Sequence, residues 1–361
     1  MSAVPAKSRS TVSVRGAPGR NEPSRHWGAV VPFMPAALVA DQARALETAG
    51  LRGILAPQIY GPPFVALAAA AAATERVDLL SGIAIAGVRS PVETAAAAMD
   101  LDRLSGGRFI LGLGTSVRSW SEGIFGMPSD RPVARLREAV ELIRLVIAKA
   151  HTGELRGFAG EFHRHDFSAM QVIMPPPVRT EIPIWIAGNQ QRTIRLAAEI
   201  ADGVMGHPIW SVEWATGQGA AAVAHGLARA GRDRDDIHLQ LGQFVAIDDD
   251  RRQAVEDGRA TVAFYAAVEA YEPYFSAHGF REQAARCQEV ARKDGYRSAT
   301  RHVPDEMVER FVLCGPADRV RKRFRPLDDL ADSFWLLPPL FGPPPERAAE
   351  LAGRIAETFY I

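Results

Sequence analysis

The stretch PIWIAGNQQRTIRLAAEIADGVMG, residues 183–206, decides the fold class. Ile184–Ala187 is a short apolar run of the buried-strand type, and Ile194, Ala197, Ala198 and Ala201 then recur at helical spacing. A second apolar run, Gly203–Gly206, follows at once. Strand, helix and strand in that order form the unit in which a helical crossover returns the chain to make two neighbouring strands parallel. Gly188 and Asn189 mark the turn into the helix, with Asn189 the expected N-cap.

The same alternation runs outward in both directions. Candidate strands are Trp27–Pro32, Gly53–Pro57, Val77–Ala84, Phe109–Leu113, Ile184–Ala187, Gly203–Gly206, His238–Ile247 and Ser333–Leu337. Eight strands with helical crossovers allow an open doubly wound sheet, but the count favours closure into a (β/α)8 TIM barrel. Between them, Leu136, Val140, Ile143 and Ile147 make one apolar helix stripe, while Arg137, Glu138, Glu141 and Arg144 take the other face. Three stretches exceed the repeat and read as insertions: Ser116–Pro132, His151–Pro183 and Asp248–Val303. Barrel active sites lie at the carboxyl ends of the strands, so an insertion there roofs a pocket. Residues 1–26 are basic, rich in Ser, Pro and Gly, and without an apolar stretch, which predicts a disordered tail ahead of a barrel domain over 27–361.

Composition narrows the function classes. Lys plus Arg balances Asp plus Glu at 42 each in 361 residues, which argues against broad phosphate neutralisation and hence against nucleic acid as a partner. The longest apolar run, Phe64–Ala73, is too short to span a bilayer, so no membrane partner is expected. Cys287 and Cys314 occupy no metal or redox spacing and suit a reducing cytoplasm. No strand end carries the carboxylate pair or metal cluster that an unrelated barrel hydrolase or isomerase needs.

Two segments carry chemistry. In DRLSGGRFILGLGTS, residues 102–116, a buried strand opens into a glycine-containing loop; Gly112 and Gly114 begin a dinucleotide fingerprint, but position 117 is valine, so the Rossmann reading fails. These glycines either relieve crowding or touch a ligand. In the second segment, the helix start after Gly188 offers free N–H groups and the positive dipole end, with Arg192 and Thr193 as added donors, the composition of an anion site. His163 and His165 stand two apart with no third ligand nearby, so no metal is expected. The run Asp248–Arg252 reads as a solvated turn. Trp120 and Trp210 each follow a strand end, where an aromatic can cover a ring cofactor or an apolar substrate.

Together the two segments strongly resemble the hallmark segments of the luciferase-like superfamily of flavin and deazaflavin oxidoreductases. LLSGIAIAGVRSPVETAAAAMDLDRLSGG from residue 79 and VLCGPADRVRKRF from residue 312 resemble further parts of it, so the likeness covers roughly residues 27–340. RPVARLREAVELIR and GEFHRHDF are most similar to the actinobacterial branch that uses coenzyme F420. The resemblance implies a barrel, usually dimeric, that binds F420 or alternatively FMN at its mouth. It further implies a non-proline cis peptide at Gly82–Ile83, and cofactor contacts from Gly82, Ile83, Thr115, Ser116 and the run Gly188, Asn189, Gln190, Gln191, Arg192 and Thr193. A deazaflavin moves hydride and does not activate oxygen, so an F420 enzyme is a dehydrogenase or reductase, whereas an FMN enzyme can be a monooxygenase. A flavin-binding protein without turnover is the non-enzymatic alternative.

Many superfamily members place a carboxylate or histidine after the second strand; this chain has Gln58, Ile59 and Tyr60 there. His207 directly follows the sixth strand and is the expected acid or base near neutral pH, with Gln58 and Tyr60 orienting substrate. Phe33, Trp120 and Trp210 are the expected substrate-pocket residues.

Overall fold

A computed structural model describes residues 24–168 and 174–360. Eight strands form the barrel: β1 Trp27–Ala29, β2 Gly53–Ala56, β3 Asp78–Ser81, β4 Phe109–Gly114, β5 Ile184–Gly188, β6 Gly203–Gly206, β7 His238–Ile247 and β8 Ser333–Leu337. Each pairs in parallel with the next in chain order. A parallel bridge between His26 and Phe334 joins β8 to β1 and closes the ring. The (β/α)8 expectation therefore holds, and each predicted strand is present. Two further strands join this sheet: Ala84–Ile85 pairs with the end of β4, and β7 is long enough for its lower part to pair with β8 while Phe244–Ile247 pairs with Val312–Gly315.

Alternation along the strands separates two cores. Leu55, Leu80, Ile110, Trp185 and Met205 point inward and pack with Trp27, whereas Ile54, Leu79, Phe109, Leu111, Ile184, Ile186 and Val204 face the surrounding helices. Burying each such side chain stabilises the fold by about 1.5–3 kcal/mol. The two indoles fill the interior so completely that a Cβ on Gly53 would lie 2.4 Å from the Trp27 ring and one on Gly203 2.5 Å from the Trp185 ring.

On the helix Pro132–Lys149 the apolar stripe is buried as expected. Glu138 departs from the solvated face assigned to it. It is buried, and its carboxylate accepts the N–H groups of Glu161 at 2.6 Å, Phe162 at 2.8 Å and His163 at 2.6 Å. Those residues form the turn of a small hairpin, Gly157–Ala159 with Arg164–Asp166, inside the second insertion. The acidic run after β7 also has structural work: Asp250 caps the helix Arg251–Ala266, and Asp248 pairs with Arg347. Residues 1–23 of the expected tail lie outside the described residues, but Arg25 belongs to the fold, donating to Asp328 and to the carbonyls of Ala331 and Asp332 while lying over the Phe334 ring. Cys287 and Cys314 are free and buried. No described helix is long and apolar enough to cross a membrane.

Candidate active site

The carboxyl ends of the strands open into a mouth with two unlike walls. On the first, β6 sends Met205 inward, and His207 follows just past the carboxyl end of that strand. The backbone N–H of Ile209 donates to His207 Nδ1 at 3.1 Å, and His207 Nε2 lies 3.2 Å from the Tyr271 hydroxyl. Burial pushes the imidazole down to about 3. At pH 7 the ring is neutral, so the expectation of a histidine titrating near neutrality is corrected: its enclosure by Tyr265 and Tyr271 disfavours the cation. With Nδ1 accepting, the ring hydrogen sits on Nε2.

The long insertion after β7 closes over this wall. Gln190 Nε2 donates to the carbonyl of Ala270 at 2.9 Å, and Tyr274 donates to Asn189 Oδ1 at 3.1 Å while accepting from Trp210 Nε1 at 3.2 Å. These contacts bring the insertion after β7 onto the loops that follow β5 and β6. They also correct two assignments. Asn189 is not the N-cap: the helix Gln191–Ile200 begins after Gln190, which has no side-chain cap bond, and Asn189 is committed to Tyr274. Trp210 is buried at 2% exposure and packs on Trp214 beneath the insertion, so it does not line the open pocket.

Gly188 lets the helix start at the strand end, because a Cβ there would sit 2.4 Å from Ile194 Cγ1. The first-turn N–H groups of Gln191 and Arg192 have no carbonyl four residues back within the helix. Arg192 is exposed and has neither ion pair nor hydrogen bond among the described residues, while Thr193 behind it is buried. An unpaired guanidinium beside free N–H donors at the positive end of a helix fits a phosphate.

The second wall comes from β1, β2 and β4. Phe33 and Tyr60 are exposed, their rings 6.2 Å apart, and Tyr60 stacks parallel to Trp120 at 6.0 Å. Phe33 at φ 70° and Ser116 at φ 61° both adopt the left-handed backbone that side chains disfavour, and both lie just past strand ends. Ser116 follows Thr115, whose carbonyl accepts from Ser121 Oγ at 3.3 Å.

Between the walls, the peptide bond Gly82–Ile83 is cis, as the resemblance implies. Gln58 braces the segment that follows: its Oε1 accepts from the Ile85 N–H at 2.9 Å and from Arg89 at 3.3 Å. Its Nε2 is buried with no partner among the described residues. Gly112 and Gly114 resolve toward crowding, since a Cβ on Gly112 would stand 1.9 Å from the Ser81 carbonyl oxygen and one on Gly114 2.8 Å from Ile83 Cδ1. His163 and His165 stack on the hairpin, and the described residues hold no group of three metal-ligating side chains. The residues that sequence reasoning missed are Tyr271 and Tyr274. Both lie in the insertion and reach the mouth through tertiary contacts that no local pattern encodes.

The family model for luciferase-like monooxygenases matches residues 13–333. The chain belongs to that family. A Mycobacterium tuberculosis protein named "Putative coenzyme F420-dependent oxidoreductase" is 32% identical over 82% of this chain and 88% of its own length. Among solved structures, the coenzyme F420-dependent tetrahydromethanopterin reductase of Methanopyrus kandleri superposes with a TM-score of 0.78 at 22% identity, covering 93% of this chain and all of that one. An F420-dependent secondary alcohol dehydrogenase in complex with an F420–acetone adduct gives a TM-score of 0.71 at 15% identity, covering 93% of this chain and 98% of its own. At those identities the structures speak for the shared barrel.

Proposed function

We propose that this family member is an F420-dependent oxidoreductase, a dehydrogenase or reductase acting on a small organic substrate. The observation that carries the reading is the unpaired Arg192 at an open helix start, together with the cis peptide at Gly82–Ile83, in a chain 32% identical to a relative named for F420. When bound, the deazaflavin supplies a carbon centre that takes up or releases hydride.

The chain's own residues then divide the work. The N–H groups at Gln191 and Arg192, with the Arg192 guanidinium and Thr193, hold the phosphate, while Gly188, Asn189 and Gln190 form the loop that carries them. The floor at Gly82 and Ile83, flanked by Thr115 and Ser116, supports the ring. Gln58, through its unused Nε2 donor, and Tyr60 orient the substrate, and His207 serves as a neutral donor through Nε2. Phe33 and Trp120 contact the apolar part of the substrate. An FMN-dependent monooxygenase is the second reading, favoured by the description of the family, and a flavin-binding protein without turnover is the third. Anaerobic titration with F420 and with FMN separates them: preferential F420 binding supports the first, preferential FMN binding overturns it, and a bound cofactor that no substrate extract reduces or oxidises points to the third.

A homodimer in the cytoplasm completes the proposal. The helix Pro63–Ala73 is apolar all round, and Val65 on its outer face is 71% exposed, a surface better suited to a second copy than to water. Two free buried thiols accord with a reducing compartment. Sedimentation of Val65→Asp should show monomer where the parent shows dimer; a parent that sediments as monomer removes the dimer.

A further inference from the structure

The two insertion tyrosines at the mouth have unlike hydrogen-bond states. The Tyr274 hydroxyl is used in both directions, accepting from Trp210 Nε1 and donating to Asn189 Oδ1. Tyr271 is used in only one. Because the Ile209 N–H occupies His207 Nδ1, the hydrogen of the neutral ring is on Nε2, and the Tyr271 oxygen must be its acceptor. The phenol's own hydrogen is left without an acceptor among the described residues. His207 stands just past the carboxyl end of β6, so this unused donor lies at the mouth end of the barrel, where both rings pack on Tyr265 of the helix Arg251–Ala266.

We propose that Tyr271 is the proton donor of the reaction and that His207 is its positioning residue. The inference rests on the oxidoreductase reading. In the reducing direction, a bound reduced deazaflavin would supply hydride to the carbonyl carbon of the substrate, and the C=O π pair would move to oxygen. That oxygen takes the Tyr271 proton as the phenol O–H bond breaks. The tyrosinate that remains accepts the His207 Nε2–H hydrogen bond and regains a proton from solvent; in the oxidising direction each movement reverses. Burial alone pushes the Tyr271 phenol up, so the proton stays on the phenol until hydride addition makes the substrate oxygen basic. A donated hydrogen bond from Nε2 favours the charged phenolate and offsets part of that burial. His207 acts throughout without changing its own protonation state, which agrees with its neutral ring.

The test uses the full chain loaded with F420 and cyclohexanone carrying a carbon-13 carbonyl as the probe. A carbonyl that accepts a hydrogen bond shifts downfield in the carbon spectrum, and wild type should show that shift on binding. Tyr271→Phe should abolish it with F420 affinity unchanged. His207→Phe should reduce it and His207→Gln, which restores an N–H donor, should recover it, a pattern that loss of packing alone would not give. With any ketone that wild type reduces, Tyr271→Phe should lower kcat by about 10²-fold with little change in KM. A full shift retained in Tyr271→Phe, or no bound shift in wild type, overturns the assignment. Failure to bind F420 while the ketone shift depends on Tyr271 would overturn the oxidoreductase reading and leave the donor in place.

Discussion

The wall built on β5, β6 and the long insertion is tied together by side-chain hydrogen bonds, whereas the wall from β1, β2 and β4 is open and aromatic. On the first, Gln190, Asn189, His207 and Trp210 are each held by the insertion. On the second, Phe33 and Tyr60 are 64% and 63% exposed and touch chiefly other rings. Groups that must keep one geometry for phosphate and proton gain from the closed wall, where a lost partner leaves a buried polar atom unpaired. Groups that select a substrate gain from the open one, where apolar surface is available for burial.

The largest expected break in this contrast is acid. His207 on β6 sits at about 3 and His238 on β7 at about 4, both driven down by burial. His26, beside β1, is likewise lowered to about 4 by burial and then by Arg25. Each folded value lies below the unfolded value near 6.5, so the unfolded chain binds the proton first. Their contribution is complete above about pH 6.5 and is lost as pH falls toward 4, by up to about 1.4 kcal/mol per pH unit for each histidine. Urea unfolding at pH 7, 6 and 5 measures this; a flat stability over that interval would show that the three rings are not buried neutral.

Next in size is Arg192→Ala. If the guanidinium makes a charge-assisted bond to the cofactor phosphate, truncation should weaken F420 binding by about 1–3 kcal/mol and leave thermal stability unchanged. Calorimetric titration reads the first and a melting curve the second. Unaltered affinity in both Arg192→Ala and Thr193→Ala would remove the side chains from the phosphate site.

How far the sequence reveals this contrast follows from what is local. Strands such as Ile184–Gly188, and the helix that follows, are written in periodicity, so the barrel is legible. The anion-binding helix start is legible for the same reason. Asn189 misleads because its side chain is a good cap by type, yet Tyr274, eighty-five positions on, claims it. Glu138 misleads in the same way: at its helix position it reads as solvent-facing, but the hairpin's three N–H groups fold back onto it. Trp210 and His207 are legible as strand-end residues, while their burial is set by the insertion. Long-range partners decide the chemistry of all four, and no spacing rule carries those partners.

Smaller effects separate the walls residue by residue. Tyr274→Phe keeps the ring but leaves Trp210 Nε1 and Asn189 Oδ1 without their bonds, so it should cost about 1–2 kcal/mol of stability. Tyr60→Phe removes the same atom from the open wall. No described residue hydrogen-bonds the Tyr60 hydroxyl, and the ring stack on Trp120 survives the change, so stability should move by no more than about 0.5 kcal/mol. The two variants remove the same atom, one from a buried and bonded site and one from an exposed site, which makes denaturant midpoints measured side by side a direct comparison. A Tyr60→Phe midpoint lowered as far as that of Tyr274→Phe would mean that the open wall is also held by a polar bond, and its role in admitting varied substrate surfaces would have to be given up.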